Sequence, residues 1–249
     1  MELGIYESLI TETLKSRLDH IDRNEFYVAD QKKLDADEAV HFLAMHLGAA
    51  IKNALKLIKA EKKDLLVAKQ IDITNNILQY LTQEISQYEF ADDLVYAEGL
   101  ILEGVLEKLN SKYTDVKLHL SEIMPLTRLT QSELFTGGNV GLSLDAELKK
   151  EIRSSDRIDL LVSFIKWKAI VILRDAFEEF TSRGGQLRII TTTYMGATDA
   201  KAIHELSKLP NTEVKVSYKN SNERLHAKAY LFFRNSGFHT GYIGSSNFS

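Results

Sequence analysis

Apolar residues recur at helical spacing through the first part of the chain. One stripe runs through Tyr6, Ile10, Leu14, Leu18 and Ile21, and a second through Leu43, Leu47, Ile51, Leu55 and Ile58. A third joins Val67, Ile71, Leu78, Leu81 and Ile85, and a fourth Leu94, Ile101 and Val105. Intervals of three, four and seven place such residues on one face of a helix, so the spacing predicts four helices and an α-helical bundle over 1–110. Asp35 followed by Glu38 predicts an N-cap and its return partner at the second helix, and the charged stretch 59–64 ends it. Residues 111–145 lose this periodicity and contain Pro125 and the glycines 137, 138 and 141, which predicts a linker.

Beyond residue 145 helices and strands alternate. A short helix over 146–152 precedes a buried strand over 158–165, and an amphipathic helix over 168–182 closes at Gly184 and Gly185. A strand over 187–193, a helix over 199–209 stopped by Pro210, and a strand over 212–218 follow. Strands over 225–233 and 240–244 join through Asn235, Ser236 and Gly237 as a hairpin. This order predicts an α/β domain over 146–249, a mixed sheet with helices covering both faces.

Composition narrows the function. The 249 residues include no cysteine, which excludes a disulfide framework, a thiolate nucleophile and cysteine-ligated zinc. The longest apolar runs fall far short of the roughly 20 residues that span a bilayer. A cytoplasmic protein without membrane contact is expected. The net charge of −4 conceals an asymmetry: residues 1–150 carry 17 Lys and Arg against 25 Asp and Glu, and the remainder 14 against 10. A polyanion would therefore meet the C-terminal part.

Candidate chemistry sits in that part. His226 and Lys228 are two apart on a predicted strand and project to one side, away from Ala227, Ala229 and Leu231. The next strand ends in Gly244-Ser245-Ser246-Asn247, where glycine permits close approach and Ser245 and Asn247 add a hydroxyl and an amide. A cation, two donors and a nucleophilic imidazole are what attack at a phosphate requires. Arg224 and Lys219 precede the motif and could hold flanking phosphates, although solvated surface charges are the simpler reading. Trp167 between two lysines could stack on a base or pack a strand-to-helix corner. The amides of 194–198 could meet phosphate or simply start a helix capped by Thr198. The seven histidines show no metal-ligand spacing, so neither metal nor cofactor is expected.

His-x-Lys followed by Gly-Ser-x-Asn resembles the HKD motif of the phospholipase-D-like superfamily, matched here by His226, Lys228, Gly244, Ser245 and Asn247. The motif's Asp position falls on Phe233, a departure seen in nuclease branches of the superfamily. The wording around residues 190–199, 224–232 and 242–249 is similar to the N-terminal nuclease module of bacterial superfamily 2 helicase fusions. The resemblance implies a metal-independent phosphodiesterase acting on DNA through a phosphohistidine, with His226 as nucleophile and Lys228, Ser245 and Asn247 holding the phosphate. A second HKD histidine would serve as acid, and one motif per chain then implies a homodimer sharing one site. A helicase domain in the same protein and a role in DNA processing or phage defence are further implications. The alternatives are a catalytically silent nucleic-acid-binding or dimerisation module, a hydrolase of lipid or other small phosphodiesters, and a helical adaptor.

Overall fold

The computed structural model describes residues 5–21, 29–85, 90–106, 116–132, 143–218 and 225–248. It divides into two compact units, Met1–Leu102 and Glu103–Ser249.

In the first unit, helices α1 (Glu12–Ile21), α2 (Ala36–Leu57) and α3 (Lys63–Glu84) form at three of the four apolar stripes. Asp35 caps α2 by accepting the Asp37 N–H at 2.9 Å, as the sequence predicts. The return partner differs, because the Glu38 carboxylate is held by the Lys32 ammonium at 2.7 Å. The fourth helix does not form: after a 3₁₀ turn at Phe90–Asp93, residues 94–106 are irregular. The Asn75 side chain on α3 accepts the Val95 N–H at 2.8 Å and donates to the Val95 carbonyl at 3.0 Å. That pair of bonds takes up the backbone groups a helix would use, and Gly99 at φ +64° turns the chain out of helical geometry. Among the described residues of this unit only Leu18 and Ile71 are buried, so it is a helical region rather than a densely packed bundle.

The second unit is built on five strands: β1 (Arg157–Val162), β2 (Gln186–Thr192), β3 (Thr212–Ser217), β4 (Lys228–Phe233) and β5 (Thr240–Ile243). Their order is β3-β2-β1-β4-β5; β1, β2 and β3 are parallel, and β4 and β5 are antiparallel to their neighbours. Helices α4 (Val116–Ile123), α5 (Leu144–Ser154), α6 (Trp167–Ser182) and α7 (Ala200–Ser207) complete it. Helix α6 closes with Gly184 at φ +98° while the Gly185 N–H bonds back to the Phe180 carbonyl at 3.0 Å, which releases the chain into β2.

Among the described residues helices cover the sheet on one face, not two. Burial alternates along β1, β2 and β4, and Ile158, Leu160, Leu187, Ile189, Tyr230 and Phe232 share one core with residues of α5, α6 and α7. The reason is topological. Right-handed crossovers from β1 to β2 and from β2 to β3 step in one direction, so α6 and α7 land on the same side. On the other face Ile190 and Ile243 are exposed, between ion pairs such as Asp159 with Arg188 and Glu213 with Lys215.

The stretch expected as a linker contributes structure, since α4 and the turn after it pack with α5. The buried Glu147 carboxylate accepts the N–H groups of Leu126 at 2.7 Å and Thr127 at 3.0 Å. One turn on, buried Glu151 pairs with the Arg234 guanidinium and accepts Thr240 Oγ1 at 2.8 Å. Tyr242 Oη donates between the two carboxylates, 2.7 Å from Glu151 and 3.1 Å from Glu147. Burial pushes the Tyr242 hydroxyl far above its ordinary range. This network ties β5 and residues 126–127 to one helix.

Candidate active site

The described motif residues lie at one end of the sheet. Because β4 runs against β1, its first residues lie beside the last of β1, with Lys228 opposite Val162; β5 reverses again and ends beside the start of β4, with Ile243 opposite Ala229. The site therefore stands at the carboxyl ends of the parallel strands, where open α/β sheets place ligands.

His226 lies just before β4 begins and is exposed, whereas Lys228 is buried at 7% exposure in the row of Tyr230 and Phe232. Two links bring them together. The Lys228 ammonium lies 3.1 Å from His226 Nε2 and 3.0 Å from the His226 carbonyl. An ammonium can only donate, so in this contact Nε2 is the acceptor. Ser163, buried at the end of β1, donates to the Ala227 carbonyl at 3.4 Å and fixes the backbone between them.

The turn after β5 is pinned at several points. The Gly244 N–H bonds to the Lys228 carbonyl at 3.3 Å, and Tyr230 Oη donates to the Ser246 carbonyl at 3.0 Å. Phe248 pairs with residues 164–166: its N–H bonds to the Phe164 carbonyl at 3.2 Å and its carbonyl accepts the Lys166 N–H at 2.6 Å. Between these, Asn247 Oδ1 accepts the Phe164 N–H at 3.3 Å, which leaves its amide NH₂ to donate. Gly244, Ser245 and Ser246 are exposed and line a cavity of about 790 Å³ with Arg128, Thr130 and Tyr230. The turn is thus held by its backbone and by Asn247, with its hydroxyls open to a ligand.

The structure brings His226 and Lys228 into contact and places Gly244, Ser245, Ser246 and Asn247 on the adjoining strand end; Lys219 and Arg224 lie outside the described residues. Trp167 takes the corner role: it packs against the core with the Lys201 ammonium 4.4 Å from its ring centroid. Its N–H bonds to the Asp199 carboxylate at 2.8 Å, and this bond, with the Lys166 ammonium, holds Asp199 below the usual carboxylate range. In the 194–198 loop the N–H groups of Tyr194, Gly196 and Ala197 are taken by internal acceptors, and Thr198 bonds back to the Thr192 carbonyl at 2.7 Å rather than capping α7. Ser163, Tyr230 and Phe164 support the site without any signal in the motif. Phe233 stands at the opposite end of β4 from Lys228, paired with Arg157.

Residues 148–249 match the family described as "Cardiolipin synthase, PLD-like domain". The region is thus similar to phospholipase-D-like domains, in keeping with its mixed five-stranded sheet and flanking helices. Among solved structures, NucT from Helicobacter pylori is similar over 41% of this chain and 65% of that chain, at 21% identity and a TM-score of 0.31. No curated protein matches the chain. Among the described residues no three His, Asp or Glu side chains cluster to share a metal ion, and no helix is long and apolar enough to cross a membrane.

Proposed function

We propose that this domain is a nuclease that cleaves DNA phosphodiesters through a covalent phosphohistidine. The observation that carries the reading is the contact between Lys228 Nζ and His226 Nε2 at the strand end where Ser245 and Asn247 present donors. An incoming phosphodiester draws the ammonium from Nε2 onto a non-bridging oxygen, and this frees the imidazole lone pair. Nε2 then bonds to phosphorus as the bond from phosphorus to the leaving oxygen breaks, and an acid delivers a proton to that oxygen. Lys228, the Asn247 amide and the Ser245 hydroxyl stabilise charge on the phosphoryl oxygens. Water, deprotonated by the same acid's conjugate base, attacks phosphorus and releases His226.

The acid is His226 of a second copy, which makes the active species a twofold dimer. With Lys228 supplying the compensating charge, no step calls for a metal. The surplus of basic residues after position 150 suits a polyanionic substrate. The similarity of the wording around the motif to helicase-fusion nucleases extends the proposal to a cytoplasmic bacterial protein that couples this module to a helicase in DNA processing or phage defence.

The test is cleavage of labelled single- and double-stranded DNA in excess EDTA, with His226→Ala alongside. Cleavage that survives chelation and vanishes in the variant is expected. Undiminished cleavage by His226→Ala overturns the assignment.

A further inference from the structure

The end of the sheet opposite His226 holds a cavity of about 580 Å³, bordered by Asp156, Arg157, Arg183, Phe233, Arg234 and His239. Its volume lies in the range of small-molecule sites. Phe233, which lines it, lies five residues along β4 from Lys228, a distance of about 17 Å at strand rise.

Three guanidiniums, of Arg157, Arg183 and Arg234, border the cavity with the one carboxylate of Asp156. Arg234 is spent on Glu151, and Arg183 bonds the Arg153 carbonyl at 2.7 Å at the end of α5 while it lies in the field of Asp156. Asp156 itself accepts the Asn235 N–H at 2.7 Å. Arg157 is held more loosely: it makes a long ion pair, 3.7 Å from Nε to Asp159, a carboxylate that two nitrogens of Arg188 already bind. Among the described residues the buried Nε atoms of Arg157 and Arg234 have no hydrogen-bond partner. Arg234 is only 7% exposed.

Phe233 takes the place beside Arg157 where a second carboxylate would stand. The two residues face each other across β1 and β4, and the guanidinium carbon lies 3.9 Å from the ring centroid. The superfamily motif has Asp at this position, where a carboxylate would pair with Arg157. The ring supports the guanidinium without neutralising it. On the other side of Phe233, His239 packs at 5.4 Å, and its Nδ1 accepts the Arg234 N–H at 3.2 Å, which leaves Nε2–H as a donor.

We propose that this cavity binds a phosphate monoester, with the Arg157 guanidinium as its charge partner and His239 as a second donor. A planar guanidinium matches two phosphate oxygens at once, and the volume leaves room for an organic group of nucleotide size. The proposal is independent of the nuclease reading, because no residue is shared with His226 and Lys228.

The test is a titration of the full-length protein with inorganic phosphate, followed by the NMR resonances of the His239 and His226 rings and assigned with His239→Gln. These reporters separate the two ends of the sheet. Saturable movement of the His239 resonance is expected, with affinity reduced about tenfold or more in Arg157→Gln and in Phe233→Asp, the loss of a charged hydrogen-bond pair. Phe233→Asp introduces the residue of the superfamily motif opposite an arginine, and Arg157→Gln leaves the ring in place, so the two variants check one another. A His239 resonance unmoved by phosphate, or movement of equal affinity in both variants, overturns the proposal. Movement of the His226 resonance alone overturns it as well and leaves the nuclease reading standing.

Discussion

Lys228 Nζ is shared between His226 Nε2, at 3.1 Å, and the His226 carbonyl, at 3.0 Å. The same atom thus fixes the orientation of the imidazole and occupies its lone pair; in the proposed reaction a phosphate competes for the ammonium. A lysine can make that exchange as a compact charge on a flexible stem; an arginine fork cannot pivot between the same acceptors.

Lys228→Met and Lys228→Arg are both expected to lower single-turnover cleavage of a labelled oligonucleotide, by about 10²–10³-fold for Met. His226→Ala should remove it. Retention of wild-type rate in Lys228→Met would show that the ammonium has no part in the chemistry.

Subunit mixing checks the shared site. If each site needs His226 from two copies, equal amounts of wild-type and His226→Ala chains, allowed to exchange, should retain about one quarter of the activity, because only pure wild-type pairs are competent. A value of about one half would mean that each chain works alone.

The buried pair of Glu151 and Arg234 should be costly to break from one side. Arg234→Met leaves the Glu151 charge without its partner and is expected to cost about 3–5 kcal/mol, measured by urea unfolding. A loss under about 1 kcal/mol would show that Tyr242 and Thr240 suffice.

Burial raises the hydroxyls of Tyr230 and Tyr242 above their ordinary value of 10.0. The folded state then holds these protons where the unfolded chain releases them. Stability from this source is complete below pH 10 and declines as pH rises beyond it. Tyr242→Phe should flatten that alkaline decline in stability curves at successive pH values; an unchanged slope would place the ionisation elsewhere.

The α/β elements were legible in the sequence because punctuation marks them locally: Gly184 and Gly185 end α6, Pro210 follows α7, and Gly237 at φ +86° turns β4 into β5. The pairing of His226 with Lys228 was legible only in part: residues two apart on a strand share a side, but His226 lies just before β4 and meets Lys228 through the ammonium contact. What escaped depends on distant partners. The failed fourth helix is decided by Asn75, 20 residues before Val95, and the carboxylates of Glu147 and Glu151 find donors 20 to 95 residues away. The open face of the sheet follows from strand order, which no local pattern encodes.

The carboxylate network also sets where the module can be cut. Leu126 and Thr127 cover Glu147 from a segment that sequence periodicity would assign to a tether. A chain shortened to start at residue 143 would keep every strand and every residue of the HKD match, yet leave a buried carboxylate short of its donors. The smallest unit that inherits the stability of this domain therefore begins upstream of Leu126, and Leu126 and Thr127 travel with the sheet as part of its heritable core.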